Sequence, residues 1–128
     1  MLLADFGTTY CKLFDTQRDT RARVVASRAL EPGFQADLAT GHNAARRSKR
    51  AVNELSALAR GGRRLISADS FVLLDCGSRD LKFVRFAQGR VADMGWNAEC
   101  GASMGFTIEL LATYYQLDYA AMAVPQNG

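Results

Sequence analysis

The first half of the chain opens with short apolar segments and then changes to a helical period. Residues 2–6 and 10–14 are apolar segments on either side of a glycine-containing turn, which is typical of a β-hairpin. Residues 23–27 form a third strand candidate. Apolar positions then recur at helical spacing, so we predict a helix over about residues 44–59 that ends at Gly61.

The second half repeats this order of patterns. Residues 71–74 form an uninterrupted apolar run, as in a buried strand. Residues 81–86 and 90–94 are two further strand candidates, each entered through a turn that contains glycine. A helical apolar face follows over about residues 102–116. These patterns predict an α/β fold of two similar units, each with three strands and a helix.

A repeated motif marks the same place in both halves. Residues 5–12 and residues 75–82 both read D-x-G-x-x-x-x-K, at an offset of 70 residues. Each copy follows an apolar strand and leads into a second strand. A repeat in the same context indicates a duplicated unit, so we expect two subdomains, a shortened one over residues 1–65 and the start of another over residues 66–128.

The repeated turns have the chemistry of a phosphate site. An Asp at a strand end, followed by a glycine turn with hydroxyl residues, directs a carboxylate and backbone N–H groups to one point. Asp5 and Asp75 are the candidate catalytic residues, and each would hold Mg²⁺ through water. The candidate phosphate-binding residues are Gly7, Thr8, Thr9, Lys12, Gly77, Ser78, Arg79 and Asp80. Two such turns facing each other would clamp a nucleotide; the alternative is two unrelated hairpins, because Asp and Gly are common in turns.

Composition narrows the class of protein. A length of 128 residues suffices for one hydrophobic core, and 48% apolar with 23% charged residues is ordinary for a globular chain. No apolar run reaches the roughly 18 residues of a membrane helix, and the acidic start is unlike a signal peptide, so we expect a cytoplasmic protein. Cys11, Cys76 and Cys100 lack a C-x-x-C spacing, which argues against disulfides. Strand packing is the favoured interpretation of Cys11 and Cys76.

Positive charge is concentrated in one segment. The net charge is +3, and residues 46–64 hold seven basic residues against one acid, Glu54. Such a patch suits nucleic acid or an acidic partner. We favour a solvated helix face, because no aromatic residue lies among the basic ones to stack on bases. Nucleic-acid binding through Arg46–Arg64 is the third hypothesis for function.

The two turns resemble the phosphate loops of the sugar kinase, actin and heat-shock-chaperone superfamily of ATPases. Within it, the sequence is most similar to the BadF/BadG type, the ATP-dependent activators of 2-hydroxyacyl-CoA dehydratases and benzoyl-CoA reductases. The resemblance implies a ribonuclease H-like, actin-like ATPase fold. It is carried, in the order of the family, by Asp5-Phe6-Gly7-Thr8-Thr9 with Lys12, by Thr40-Gly41-His42, and by residues 54–61, 75–82 and 97–105.

The resemblance also implies cofactors and partners. In that family, homodimers hold one [4Fe–4S] cluster at the interface with two cysteines from each subunit, and ATP drives electron transfer to the dehydratase. It therefore suggests ATP and Mg²⁺ as ligands, Cys100 as a cluster ligand, and a dehydratase or reductase component as partner. One Cys100 per chain supplies at most two thiolates to a dimer, whereas cubane clusters normally take four. We therefore expect no stable cluster in this chain alone.

The sequence departs from the family pattern at several positions. Leu58 replaces a histidine, and Ser78 and Arg79 replace the glycine and glutamine of the second turn. A side chain at Ser78 hinders close backbone approach to a phosphate, whereas Arg79 offers a direct phosphate contact. The second cluster cysteine and the adenosine-binding segment would lie beyond Gly128. We therefore expect an ATP-binding domain that is incomplete as an ATPase; the alternative is a non-catalytic interaction or dimerisation module on the same scaffold.

Overall fold

The chain folds into two β-sheets with accompanying helices, as the predicted mixed α/β class requires. The computed structural model describes residues 1–97 and 105–118. The strands of this part are β1 (Leu2–Phe6), β2 (Tyr10–Asp15), β3 (Arg23–Ala26), β4 (Ala36–Gly41), β5 (Ser48–Ala51), β6 (Phe71–Cys76), β7 (Leu81–Ala87) and β8 (Arg90–Trp96). The helices are α1 (Glu54–Leu65) and α2 (Gly105–Tyr115), with short 3₁₀ turns at Ser27–Ala29 and Ala44–Arg46.

The first sheet combines an antiparallel meander with two parallel strands. Its order is β3-β2-β1-β4-β5; the first three strands of the chain pair antiparallel, and β4 runs parallel to both β1 and β5. Near the end of β1, Asp5 lies opposite Lys12 of β2 on one side and Thr40 of β4 on the other. Pairing on both sides fixes the position from which the first repeated turn leaves the sheet.

The second sheet repeats the meander in the same register. Its order is β6-β7-β8, with antiparallel pairing throughout. Asp75 of β6 lies opposite Lys82 of β7, just as Asp5 lies opposite Lys12 in the first sheet. The two copies of the sequence motif therefore occupy corresponding places in two similar three-stranded meanders.

The predicted helix over residues 44–59 is wrong in its first half. The segment after the 3₁₀ turn forms β5, and α1 begins only at Glu54. Asn53 caps the helix, because its side-chain oxygen accepts a hydrogen bond from the backbone N–H of Ser56 at 3.1 Å. The apolar positions at the start of the predicted helix thus belong to the end of a strand and its connection.

The predicted end of that helix at Gly61 is also wrong. α1 continues through Gly61 and Gly62 to Leu65. A Cβ atom at Gly62 would lie 2.5 Å from Cδ2 of Leu73, so the missing side chain allows α1 to pack closely on β6. The glycine at this position serves helix–sheet packing rather than helix termination.

β4 and β5 have no counterpart among the predicted strands. The buried residues of β4 are Ala36 and Ala39, whose small side chains give a weak apolar signal. Because both strands lie between the meander and α1, the first half is not the predicted unit of three strands followed by a helix.

Two apolar cores lie in the described part of the chain. The first packs on the five-stranded sheet and consists of Ala4, Phe6, Cys11, Leu13, Ala36, Ala39 and Ala44. The second lies between α1 and the three-stranded sheet and consists of Ala59, Val84 and Phe86, with Leu58, Phe71 and Leu73 packed against them. Since α1 also contacts β4, this helix joins the two sheets.

α2 is an apolar helix that is largely exposed. Ala112 is its buried residue. Its exposed large apolar side chains are Phe106, Ile108, Leu110, Leu111, Tyr114 and Tyr115. The predicted helix over residues 102–116 is confirmed where it is described, and positions 102–104 lie outside the described residues. Neither α1 nor α2 has the length and apolarity that a membrane span requires.

Candidate functional site

A cleft of about 630 Å³ lies between the two repeated turns. It is lined by ten residues that the sequence singled out, namely Asp5, Gly7, Thr8, Thr9, Lys12, Asp75, Gly77, Ser78, Arg79 and Asp80. The structure therefore brings both motifs, which lie far apart in sequence, to one cavity. Cys100, the candidate cluster ligand, lies outside the described residues.

The first turn is held by short hydrogen bonds around Asp5. The Nζ atom of Lys12 lies 2.9 Å from Oδ2 of Asp5, and the Ser27 hydroxyl donates to the Gly7 carbonyl at 2.8 Å. Burial lowers the pKa of Lys12, but its hydrogen bond and charge interaction with Asp5, together with the charges of Asp75 and Glu54, raise it above the ordinary value. Lys12 therefore stays protonated at neutral pH. It interacts electrostatically with carboxylates from both halves of the chain.

A glycine at the end of β4 leaves room beside Asp5. Gly41 adopts φ = +88°, a conformation that L side chains rarely adopt. A Cβ there would collide with the Phe6 carbonyl oxygen and would lie 3.0 Å from Oδ1 of Asp5. The next residue, His42, donates its backbone N–H to that same Phe6 carbonyl at 2.7 Å. Residues 41 and 42, which the resemblance included without a role, therefore shape the wall next to the first turn.

The second turn is closed on itself and tied to α1 by a lysine. The Gly77 N–H donates to the Asp80 carbonyl at 2.8 Å. The Nζ atom of Lys82 lies 2.7 Å from Oδ1 of Asp80 and 3.1 Å from Oε1 of Glu54, the first residue of α1. The Lys82 side chain is only 9% exposed. Burial lowers its pKa, but the hydrogen bonds to Asp80 and Glu54 outweigh this effect and raise the pKa.

The two motifs thus use their lysines differently. Lys12 binds the Asp at the end of its own first strand, whereas Lys82 binds Asp80 and a carboxylate from another element. The sequence repeat alone would have paired Lys82 with Asp75. As a result, Asp75 lines the cleft without an ion pair from a described residue.

α2 connects both turns at its amino-terminal end. The backbone N–H of Phe106 donates to the Ser78 carbonyl at 2.7 Å, which docks the helix on the second turn. From the same helix, Glu109 accepts a hydrogen bond from the Thr9 hydroxyl of the first turn at 3.1 Å. Glu109 was not among the predicted site residues. The sequence could have pointed to it, because Glu109 is the single charged residue of the apolar helix α2.

The cleft carries an excess of negative charge. Its carboxylates are Asp5, Glu54, Asp75, Asp80 and Glu109, and its permanent cations are Lys12, Lys82 and Arg79. Two of these cations are already paired with carboxylates. The charge of the cleft therefore disfavours an anionic ligand that brings no cation of its own.

The oxygen ligands of the cleft suit a Mg²⁺ ion that is also bound by water and phosphate. They suit less well a metal ion whose ligands all come from the protein. Carboxylates and hydroxyls are the hard oxygen ligands that Mg²⁺ prefers, and this ion usually binds one or two carboxylates plus waters and phosphate oxygens. The described residues contain no group of three or more His, Cys, Asp or Glu side chains that could hold a metal ion by themselves. Asp5 and Asp75, one from each turn, both line this cleft.

The two described cysteines differ in environment. Cys11 is fully buried in the first core, and burial, with a smaller effect from the charge of Asp5, raises its pKa to about 11. Strand packing, as predicted, accounts for this residue. Cys76 is exposed and lines the cleft, so the packing interpretation is wrong for it.

The basic segment 46–64 does not form a single helix face. Its first half lies in a 3₁₀ turn and β5, where Lys49 pairs with Asp37 at 2.7 Å. Its second half lies on α1, where Arg63 pairs with Asp69 at 3.3 Å. The favoured interpretation as a solvated helix face is therefore wrong for the first half.

Comparisons with known proteins identify the fold class. No protein-family model matches the chain, and no curated protein is significantly similar to it in sequence. Among solved structures, it is similar to the Acidaminococcus fermentans (R)-2-hydroxyglutaryl-CoA dehydratase component A, with a TM-score of 0.64 and 19% identity over 92% of this chain and 54% of that one. It is also similar to ethanolamine utilization protein EutJ from Carboxydothermus hydrogenoformans, with a TM-score of 0.50 and 15% identity over 94% of this chain and 58% of that one.

These similarities concern the fold alone. The described mixed α/β fold is similar to that of these two proteins, which have the actin-like ATPase fold. The chain spans little more than half the length of each of the two solved proteins. At these identities the likeness concerns the fold, and residue roles rest on the geometry of the cleft.

Proposed function

We propose that this chain is a nucleotide-binding domain that holds Mg²⁺·ATP in the cleft between the two repeated turns. The observation that supports it most strongly is the placement of both Asp-Gly motifs, in the same strand register, on one cavity. The actin-like ATPase fold of the structural neighbours agrees with this function. The two meanders would then be the cores of two ribonuclease H-like subdomains, over residues 1–65 and 66–128, with α1 packed between them.

The residues of the cleft have separate roles in this proposal. Asp5 and Asp75 would hold Mg²⁺, mostly through water, while backbone N–H groups of Gly7–Thr9 and Gly77–Arg79 approach the phosphates. Arg79 is the cleft cation without an ion pair among the described residues, so it is free to contact a phosphate. Bound Mg²⁺ would neutralise charge that builds up on the phosphates.

The negative charge of the cleft makes nucleotide binding dependent on the metal. Without a metal, the phosphates of ATP would be repelled by five carboxylates, and most of the cations in the cleft are already paired. Mg²⁺ reverses this unfavourable balance because it binds carboxylate and phosphate oxygens at once. We therefore expect binding of ATP with Mg²⁺ and little binding when the metal is chelated.

A calorimetric titration with ATP tests this proposal. We expect saturable binding in Mg²⁺ and its loss in EDTA. Asp5→Asn and Asp75→Asn should each weaken Mg²⁺·ATP binding by about 10- to 100-fold, the usual cost of altering groups around a bound metal. Asp93→Asn, an exposed carboxylate change on β8 outside the cleft, is the control and should have no effect. The proposal would be refuted if the folded protein showed no binding of Mg²⁺·ATP at millimolar concentration.

A more specific part of the proposal concerns the partner protein and the iron–sulfur cluster. The resemblance to BadF/BadG-type activators and the likeness to a dehydratase component A support an activator-type role with a dehydratase or reductase component as partner. Cys100 would be one ligand of a cluster that needs further thiolates from elsewhere, because we expect no stable cluster in this chain alone. The cytoplasmic location stays a prediction. Reconstitution with iron and sulfide under anaerobic conditions tests this: we expect no stable [4Fe–4S] absorption band with this chain alone. A band in the wild type that Cys100→Ser abolishes would contradict that expectation and identify Cys100 as a ligand.

A second candidate is a non-catalytic module that pairs with a second copy of the chain. The observation that favours it is the exposed apolar surface of α2, where Tyr114 is 78% and Leu110 59% exposed. Exposed apolar patches of this kind commonly mark interaction surfaces. Sedimentation equilibrium tests this candidate, which predicts a dimer that the double change Leu110→Glu with Tyr114→Glu dissociates. The calorimetric titration should then show no ATP binding.

A further inference from the structure

A second concave surface lies at the end of α1 remote from the cleft. It is an open depression of about 480 Å³, lined by residues of α1 and of the β7–β8 hairpin. Its floor is formed by Ala59, Phe86 and Val91, and its rim by Arg60, Arg63 and Arg64. We call it the arginine groove. It contains part of the basic segment that the nucleotide site does not use.

The floor of the arginine groove is apolar and firmly packed. Phe86 is only 3% exposed, and its ring stacks on that of Phe71 with centroids 4.4 Å apart. Val91, in contrast, is 44% exposed. The groove therefore offers apolar contact area on a rigid base, which is the property that an inserted apolar side chain needs.

One wall of the groove is fixed by Arg63. Its Nη1 donates to the Ala68 carbonyl at 3.1 Å, and its Nη2 lies 3.3 Å from Oδ1 of Asp69. The Gly89 N–H in turn donates to the Asp69 carbonyl at 2.8 Å. These bonds tie the β7–β8 turn to α1, so the groove is formed before any ligand arrives.

The other two arginines have no ion-pair partner within the part of the chain that the structure describes. Arg60 and Arg64 are one helical turn apart on α1, and no carboxylate of the described residues lies within ion-pair distance of either. Like charges at this spacing repel each other. The helix dipole offsets part of this cost, because both lie near the carboxyl-terminal end. Two adjacent guanidinium groups beside an apolar floor are thus placed to receive two carboxylates and one apolar side chain.

We propose that the arginine groove docks a short acidic peptide segment of another protein, with one large apolar side chain on the floor and carboxylates on Arg60 and Arg64. A nucleic acid fits this surface less well, because the floor offers no exposed aromatic ring for base stacking and an apolar floor does not bind phosphates. A membrane fits it less well because the apolar residues form a concave floor rather than a protruding edge. The proposal is independent of nucleotide binding.

The probe is an end-blocked peptide, Gly-Glu-Leu-Glu-Gly, titrated into ¹⁵N-labelled protein. We expect shifts of the backbone amides of Gly89, Val91 and Arg64, with weak but saturable affinity. Arg60→Glu with Arg64→Glu should weaken binding by at least about tenfold, since two charge contacts become repulsive. The matched control is Arg46→Glu, an exposed arginine of the same basic segment outside the groove, which should leave the affinity unchanged.

Further arms separate the peptide from other classes of ligand. Replacing the peptide leucine by serine, or Val91 by threonine, should weaken binding, because both remove apolar contact without charge change. Single-stranded and duplex oligonucleotides, and vesicles of phosphatidylcholine with phosphatidylserine, are titrated in parallel. Tighter binding of either than of the peptide at the same salt concentration would overturn the proposal. So would unmoved groove amides at millimolar peptide, or equal affinity for the Arg60→Glu, Arg64→Glu variant.

Discussion

Replacing Lys82 by methionine removes the cation that joins α1 to the second turn. The Nζ atom lies 2.7 Å from Asp80 and 3.1 Å from Glu54, and the side chain is 9% exposed. Breaking a fully buried ion pair costs about 3–5 kcal/mol. Here Glu54 and Asp80 keep 39% and 42% exposure, so water solvates them again when the lysine is lost. Methionine also fills most of the lysine stem, and we therefore expect a loss of about 2 kcal/mol in unfolding free energy.

Lys49→Met is the matched control for this change. Lys49 also forms a 2.7 Å ion pair, with Asp37, but its side chain is 75% exposed. Because exposed pairs contribute little, its loss should be much smaller than that of Lys82. Urea unfolding followed by circular dichroism measures both. Equal losses would refute the reasoning that burial, rather than bond length, makes the Lys82 bridge strong.

The pH dependence of Lys82 follows from the direction of its pKa. The folded-state pKa is raised above the ordinary value of 10.5, so the bridge stabilises the protein fully below that pH. The contribution is lost as the pH rises through the folded-state value. The stability difference between wild type and Lys82→Met should therefore be constant near neutrality and shrink above about pH 10.5. A difference that grows with pH would contradict this assignment.

Three further predictions concern the cleft and the cores. Gly41→Ala should destabilise the fold more than Gly33→Ala. The two glycines have nearly equal φ values of +88° and +87°, but only at Gly41 would the added Cβ collide with backbone atoms. Equal decreases in the thermal unfolding midpoint would contradict this. Glu109→Gln should raise the affinity for Mg²⁺·ATP about fivefold by removing one carboxylate from a negative cleft, and calorimetry showing weaker binding would argue against it. A thiol reagent at about pH 8 should modify Cys76 in the folded protein but Cys11 only after unfolding, since Cys11 is buried with a pKa near 11; peptide mass spectrometry reads both sites, and rapid Cys11 labelling would contradict its burial.

The sequence pattern predicts the parts of the fold that have strong local signals. The meanders around residues 5–12 and 75–82 follow from apolar segments and glycine turns, and the structure places both turns on one cleft. β4 escapes prediction because Ala36 and Ala39 are small. The predicted helix begins too early because residues 48–51 pair with β4 as a strand, and α1 begins only after the Asn53 cap.

The rest of the candidate site depends on contacts between distant residues. Lys82 pairs with Glu54, which lies in another element, and nothing in the repeat predicts this partner. Glu109 reaches Thr9 across 100 residues of sequence. Such pairs are set by how α1 and α2 pack on the sheets, and local patterns carry no information about that packing.

Nuclear magnetic resonance with a non-hydrolysable ATP analogue and Mg²⁺ tests most directly whether one nucleotide binds between both turns. The amides of Gly7 and Thr9 in the first turn, and of Gly77 and Arg79 in the second, line the same cleft. We predict that all four shift together with a single dissociation constant, and that EDTA reverses the shifts. Shifts confined to one turn, or none in the folded protein at millimolar analogue, would contradict the proposed site.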